Sequence, residues 1–539
     1  MLARYKTINA LLDDSFAQFA ARPAYTCAGH TLSYADLDRY SLQFARYLQC
    51  YLGLLPGDRI ALQLPNINQY PVVIYGALRA GLVIVNTNPL YTPRELEHQL
   101  CDSGAKVLVV LANVAHTAAQ IIQQTGVQQV IVTEFADLMP WPKRPLINFA
   151  IKYVKKMVPS FQFTQSIGLR DALRLGCQGT LQAPQVEPTT LLCLQYTGGT
   201  TGVAKGAMLS HANLCSNAWQ VLQHCLYLSE QDHEIFIAPL PLYHIYAFCL
   251  HALVSISLGA HNILIPNPRD IPATVAAIKP FKPSVFVGLN TLFKALCRDV
   301  EFAKLNFSAL KTTPSGGMAL THDAAEAWHK ITGGHISEGY GLTETSPVVC
   351  SNPQTAIQLG TVGRLVTETH AKVVDEAGNE LAQGEAGELC IKGPQVMQGY
   401  WQRPDETAKV LGDDGWLKTG DIAIIHADGY IKLIDRKKDM INVSGFNVYP
   451  NELENVISHC PGVLEAAVIG VPDDNTGEAV KLYVVPIDSS LSRESVVHFC
   501  REQLTGYKIP KHIEFRDSLP KSNVGKILRR TLRDEHLRA

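Results

Sequence analysis

The sequence predicts an α/β protein: a large N-terminal domain of mostly parallel sheets covered by helices, with a small β-barrel-like region, then a small, mobile α+β C-terminal domain. Three observations predict it. Continuous apolar runs, typical of strands buried on both faces, recur as far as about residue 288. After about residue 355 shorter strands alternate with Gly-rich turns. A charged stretch, Asp435-Arg436-Lys437-Lys438-Asp439, then precedes roughly 100 residues, the size of one small domain.

Taken in order, MLARYKTINALLDDSF patterns as a surface helix, and RIALQL (59–64) as a strand. TPRELEHQL opens a helix with Thr92 at the N-cap, Pro93 at the first position and Glu95 at the third, a capping box. KVLVVL, QVIVT, LLCLQ, IFIAP, NILIP and SVFVG continue the buried-strand pattern. AKVVDEAGNE, GELCIKG and ADGYIKLID pattern as hairpins of an antiparallel region. Beyond Asp435 come a helix from Pro450, strands VLEAAVIGV and VKLYVVP, a helix near Glu494 and a basic tail. The expected division is 1–435 and 436–539, with a hinge near Lys438.

Of the 539 residues 47% are apolar, enough for a large core, and 47 basic against 49 acidic residues leave a net charge of −2. That balance gives no electrostatic drive toward nucleic acid. The 13 cysteines are scattered without a C-x-x-C, which suggests neither a zinc ribbon nor a redox pair. With no secretory leader, the expectation is reduced thiols and a cytoplasmic protein. Arg79, or His251 and His261, interrupt the most apolar stretches before they reach membrane-spanning length.

The strongest local signal is Tyr196-Thr197-Gly198-Gly199-Thr200-Thr201-Gly202-Val203-Ala204-Lys205-Gly206, directly after a predicted strand. Glycines let a chain turn tightly and aim N–H groups at one point. Hydroxyls and an ammonium add donors, a composition that cradles phosphate oxygens. The spacing is neither a Walker A loop nor G-x-G-x-x-G.

This string resembles the phosphate loop of adenylate-forming enzymes: acyl-CoA synthetases, luciferases and peptide-synthetase adenylation domains. Further strings of that family follow in order: Glu338-Gly339-Tyr340-Gly341-Leu342-Thr343-Glu344-Thr345, Gly415-Trp416-Leu417-Lys418-Thr419-Gly420-Asp421, Asp435-Arg436-Lys437-Lys438-Asp439 and Pro520-Lys521-Ser522-Asn523-Val524-Gly525-Lys526. NPLYTPRELEHQL, KGPQVMQGYWQRPDET and LPKSNVGKILRR are most similar to bacterial long-chain fatty-acyl-CoA synthetases.

The resemblance implies two half-reactions. A fatty-acid carboxylate attacks the α-phosphorus of ATP, giving acyl-adenylate and pyrophosphate; the thiol of coenzyme A then attacks the acyl carbon and AMP leaves. Lys526 would bridge carboxylate and α-phosphate. Glu344, with the Thr197 hydroxyl opposite, would hold Mg²⁺, and Thr343 would contact the α-phosphate. Thr197, Gly198, Gly199, Thr200, Thr201, Gly202 and Lys205 would receive the phosphates. Gly339, Tyr340 and Gly341 would form one adenine wall, and Gly316 and Gly317 the other, with Glu338 also among the ATP-binding residues. Asp421 would accept the ribose hydroxyls, reinforced by Arg436. Rotation at Lys438 would exchange the Lys526 face for Ser444, Gly445 and Phe446, opening a channel for coenzyme A.

Tyr246, Phe248 and His244 correspond to the family's acyl site. His244 either faces the carboxylate or is a core histidine with structural hydrogen bonds; Phe248 is either an acyl gate or core packing. Two departures stand out. Arg364-Leu365 replaces a pattern ending in proline, and Asn442 stands where many relatives carry a lysine that assists thioester formation. A relative that hands its acyl group to a carrier protein, or acts on medium-chain or other carboxylates, remains an alternative. Some long-chain relatives pair as homodimers through the N-terminal domain.

The segment 141–158 carries Ile147, Ile151, Val154 and Val158 at helical spacing, with Lys152, Lys155 and Lys156 on other faces and Trp141 at its start. It fits either a basic amphipathic helix on anionic lipid or a surface helix docked on its own domain.

Overall fold

The structure, a computed structural model, describes residues 5–197, 204–226, 228–444, 446–473, 475–522 and 526–538. Five sheets organise them. The largest has seven strands: Arg59–Gln63, Val83–Asn86, Val107–Leu111, Gln129–Thr133, Ser166–Gly168 and Leu191–Thr197 run parallel, and Lys205–Ser210 returns antiparallel at one edge. Val107–Leu111 is buried at every position, as its unbroken apolar run requires. The helix Pro93–Ser103 starts on the expected capping box, Thr92 and Glu95 satisfying each other's backbone, and stops at Gly104 in the left-handed region.

A second sheet carries Pro23–Cys27, Ile235–Ala238, His261–Leu264 and Val285–Phe286 in parallel, with His30–Ser33 antiparallel at its edge. Parallel bridges Val285↔Thr312 and Gly288↔Ser315 pass it on to a third, where Thr313–Ser315 and Ile336–Gly341 run parallel. Residues 370–436 form a four-stranded antiparallel sheet. Ile441–Val443, Phe446–Val448, Val463–Asp473, Gly477–Pro486 and His512–Phe515 form the last, with one buried cluster under the helices Pro450–Ile457 and Arg493–Gln503 and another under the helix Arg529–Arg538.

Parallel strands place their carboxyl ends on one side, where ligands of α/β proteins bind. Each motif singled out in the N-terminal sheets follows such an end. The phosphate string follows 191–197, the 241–248 string follows 235–238, Gly316-Gly317 follows 313–315, and Leu342-Thr343-Glu344 follows 336–341.

Among the described residues no helix is long and apolar enough to cross a membrane. The 141–158 segment folds as Lys143–Phe149 continued by a wider π-turn, Ala150–Val154. The expected apolar face is corrected here. Ile151 and Val158 line a crevice with Phe135 and Asn148 on the chain's own domain, and Ile147 is half-buried. Val154 instead points to solvent, 70% exposed, beside exposed Trp141, Leu146, Phe149, Tyr153 and Met157. Asn148 fixes this docking: its side chain accepts the Ala136 N–H at 2.9 Å and donates to Glu134 at 2.9 Å.

Candidate active site

The phosphate end is built on the edge of the seven-stranded sheet. Thr197 and Lys205 are cross-strand partners, and Gly198, Gly199, Thr200, Thr201 and Gly202 lie outside the described residues. The Lys205 ammonium pairs with Glu406 and lies 5.1 Å from the centre of the Tyr400 ring. The Tyr400 hydroxyl donates to Glu344 Oε1 at 2.7 Å. Burial and the Glu344 charge hold that hydroxyl protonated, well above the ordinary phenol range.

Glu344 sits in the tight turn Thr343–Thr345, packed against the 191–197 and 205–210 strands. The segment 397–401 straps this turn to the sheet edge. Met397 donates its N–H to the Glu344 carbonyl at 2.8 Å, and Trp401 donates to the Gly206 carbonyl at 2.8 Å. Asp102 anchors the strap's far end, accepting from Tyr196 at 2.7 Å and Arg403 at 2.5 Å.

The nucleoside end lies where two sheets meet. Asp421 and Arg436 are cross-strand partners in the antiparallel sheet, and the guanidinium Nε donates to Asp421 Oδ1 at 2.7 Å. Tyr340 donates to the other oxygen at 2.5 Å, so the aromatic wall and the carboxylate are one unit. A carboxylate has lone pairs for about four donors, which leaves room for hydroxyls beside these two. Gly341 is obligatory: a Cβ there would lie 2.0 Å from the Pro347 carbonyl oxygen. The Tyr246 ring packs 3.5 Å from where a Cβ of Gly316 would stand, joining the 241–248 string to the Gly316-Gly317 turn. Gly317 has φ +83°, the left-handed region.

Glu338 is buried, 6% exposed, and its Oε1 accepts the Leu320 N–H at 3.1 Å. Burial pushes its carboxyl up to about 8. It therefore braces the 316–320 turn; no described contact sends it toward the Tyr340–Asp421 unit.

On the 241–248 string, His244 caps the short helix Ile245–Phe248, its Nδ1 accepting the Tyr246 N–H at 3.3 Å. That bond puts the ring proton on Nε2, and burial lowers the imidazole to about 4, so it is a neutral donor at neutral pH. Phe248 is fully buried among core residues. The string is held from beneath by a chain of buried groups: Tyr70 donates to Asn86, Asn86 to Gln195, and Gln195 to the Tyr243 carbonyl, at 2.6, 2.9 and 2.9 Å.

Lys526 is the residue the sequence separates most widely from the others. It is exposed to water, yet enough protein surrounds its ammonium to desolvate it, and it lies within the field of Arg436 and Asp421. Crowding, then the Arg436 charge, push its ammonium down to about 8. Lys438 lies in the turn Lys437–Asp439 between the last two sheets. Ser444 has φ +52°, Gly445 lies outside the described residues, and exposed Phe446 stacks on Tyr507 with ring centres 4.8 Å apart. Asn442 donates its backbone N–H to Glu478 at 2.7 Å. At the other departure, Leu365 pairs with Cys350 in the sheet, a ladder position that proline would weaken.

No group of three His, Cys, Asp or Glu side chains that could hold a metal occurs among the described residues. One carboxylate, Glu344, stands at the phosphate end with one oxygen engaged by Tyr400. A single hard oxygen ligand of this kind suits Mg²⁺ arriving with substrate phosphates and suits no dedicated metal cage. Sequence reasoning passed over Tyr400, Glu406, Asp102 and Glu338's bracing role. Tyr400 and Glu406 do stand within KGPQVMQGYWQRPDET, one of the strings that carried the resemblance.

The chain has known relatives along nearly its whole length. A long-chain-fatty-acid–CoA ligase of Escherichia coli O157:H7 is 50% identical over 533 residues, covering 99% of this chain and 95% of its own. The crystal structure of ATP-bound MatB from Rhodopseudomonas palustris matches with a TM-score of 0.84 at 30% identity, covering 98% of this chain and 99% of that one. Apo MatB of the same organism matches with a TM-score of 0.73 over the same shares. Residues 12–401 match the family described as AMP-binding enzyme and residues 452–526 its C-terminal domain, and the chain belongs to that family.

Proposed function

We propose that the protein is an AMP-forming ligase that activates long-chain fatty acids to acyl-CoA through an acyl-adenylate. The observation that carries this is the near full-length likeness to long-chain-fatty-acid–CoA ligases; the bonded Tyr340–Asp421–Arg436 unit, with Lys526 within its electrostatic reach, supports it.

In the first half-reaction two anions must meet. Lys526, reaching the cleft from the C-terminal region, offsets their repulsion, and Lys205 leaves Glu406 for the pyrophosphate oxygens. The loop 198–202 and the Thr197 and Thr343 hydroxyls complete the phosphate contacts. Asp421 takes the ribose hydroxyls, and the Tyr340 ring with Gly339, Gly341, Gly316 and Gly317 encloses the base. The neutral His244 donates from Nε2 toward the acid carboxylate, beside Tyr246; Phe248 supports this wall from the core. Glu344 and Thr197 would hold Mg²⁺, which supplies charge neutralisation on the phosphates.

In the second half-reaction the part beyond Lys438 rotates. It withdraws Lys526 and brings Ser444, Gly445 and Phe446 to the cleft, where the thiol of coenzyme A displaces AMP. Asn442 puts an uncharged side chain where many relatives carry a lysine.

The experiment is pyrophosphate and AMP release with ATP, Mg²⁺ and acids from acetate to oleate, with and without CoA. CoA-dependent turnover rising with chain length is the expected result. Adenylate without CoA turnover would transfer the assignment to carrier loading, and preference for short acids would overturn the substrate class.

The exposed stripe of Trp141, Leu146, Phe149, Tyr153 and Met157, among Lys143, Lys152, Lys155 and Lys156, suits peripheral contact with the cytoplasmic membrane face, where fatty acids partition. Absence of co-sedimentation with anionic vesicles would remove it. Pairing of two copies through the N-terminal region belongs to the same proposal, and analytical ultracentrifugation measures it.

A further inference from the structure

One buried charge beside the site has no part in the chemistry above. Asp435 follows the alternation of the strand Ile431–Arg436: Arg436 faces Asp421, so Asp435 turns to the opposite side, where its side chain is fully buried. It accepts the Arg436 N–H at 2.7 Å from its own strand. Its other donors come from beyond Lys438. The Asn451 N–H reaches Oδ2 at 2.6 Å from the helix Pro450–Ile457, and Arg529 Nη1 reaches Oδ1 at 3.3 Å from the start of the helix Arg529–Arg538.

Arg529 is aimed there by Glu454, which accepts from its Nε and Nη2 at 3.0 and 2.7 Å. Arg529 also stands three residues after Lys526, in a segment braced by Ser522 N–H to the Lys526 carbonyl at 2.7 Å and Leu528 N–H to the Pro520 carbonyl at 2.8 Å. On the near side of the pivot, Lys437 is tied to Glu388 of the antiparallel sheet at 2.8 Å. Asp435 therefore stays with that sheet while Asn451 and Arg529 travel with Lys526.

We propose that Asp435 is a positioning residue for the adenylating state: by receiving Arg529 and Asn451 across the pivot it holds Lys526 over the Asp421 end of the cleft, and it releases both when the region rotates for thioester formation. This rests on the rotation described under Proposed function. A bond made in one state and absent from the other shifts their balance by its own differential strength. A charge-assisted hydrogen bond of this kind is worth about a tenfold shift.

The test measures the halves separately on the full-length enzyme: acid-dependent ATP–pyrophosphate exchange for the first, and CoA-dependent thioester formation from supplied oleoyl-adenylate for the second. Asp435→Asn keeps shape and an acceptor but loses the charge; Arg529→Gln removes the donor. Each should lower exchange about tenfold and leave the thioester half equal or faster, which also reports an intact fold. The double variant should cost no more than Arg529→Gln alone, because that change already removes the Asp435 contact together with the bonds to Glu454. Arg529→Lys should restore part of the exchange.

Lys526→Ala separates the two levels of the argument. If it lowers both halves alike, the rotation itself is lost. If it is selective for exchange while Asp435→Asn and Arg529→Gln lower both halves alike, or neither, the positioning role of Asp435 is overturned and the rotation stands.

Discussion

If Lys526 must be cationic to bring carboxylate and phosphate together, the first half-reaction should fail at a pH where ordinary lysines are still charged. Crowding in the cleft and the Arg436 guanidinium lower Lys526 to about 8 from the usual 10.5. The sign follows from charge: the ammonium is complete well below pH 8 and is lost as pH rises through it. At pH 9 about one tenth of free enzyme would carry the cation, against nearly all for an unperturbed lysine. The assay is the pH profile of kcat/KM for ATP in acid-dependent pyrophosphate exchange, because that ratio reports free-enzyme groups. It should fall about tenfold between its plateau and pH 9. The kcat profile should fall at higher pH, since bound phosphates favour the cation. Lys526→Arg, slower overall, should lose the alkaline limb. A wild-type kcat/KM flat to pH 9.5, or an alkaline limb retained in Lys526→Arg, would refute the reasoning.

Three other outcomes are expected. Asp421→Asn leaves Arg436 facing a neutral amide and weakens the ribose acceptor; KM for ATP should rise about tenfold to a hundredfold, measured at saturating acid. Tyr400→Phe removes the hydrogen bond that orients Glu344 while keeping the ring beside Lys205, so the half-saturating Mg²⁺ concentration for exchange should rise about tenfold. Glu338→Gln preserves the acceptor for Leu320, so its kcat/KM should stay within about twofold of wild type at pH 7. Because burial raises this carboxyl, ionising it opposes folding. The wild-type Tm should fall relative to Glu338→Gln as pH rises from the ordinary value of 4.5 to about 8, and the gap should then level off.

Local rules made most of the fold legible. The Val107–Leu111 run has no polar side to present, and Thr92, Pro93 and Glu95 close a cap within four residues of chain. Tyr340, Asp421 and Arg436 were readable only through family strings, since cross-strand partners are set by sheet register, not by spacing. The supports of the site were silent for the same reason. Tyr400 and Glu344 stand 56 residues apart, Arg529 and Asp435 94, and Lys205 and Glu406 201. The 141–158 segment misled because it carries apolar residues on two faces. The widened turn at Ala150–Val154 breaks the 3.6-residue phase, swinging Val154 outward, and Asn148 decides which face docks.

The strand order of the seven-stranded sheet also sets a distance between two kinds of negative charge. The docked helix leaves from the strand Gln129–Thr133, and the phosphate string leaves from Leu191–Thr197, four places along the sheet. At about 4.8 Å per strand that is about 19 Å of protein. Around the protein the path through salt solution is at least that long, and the Debye length at physiological ionic strength is about 8 Å, so the part of an anionic bilayer's field that reaches the nucleotide end through solvent would be about a tenth or less. Lysines can thus be drawn to headgroups at one end of the sheet without the same field expelling ATP from the other.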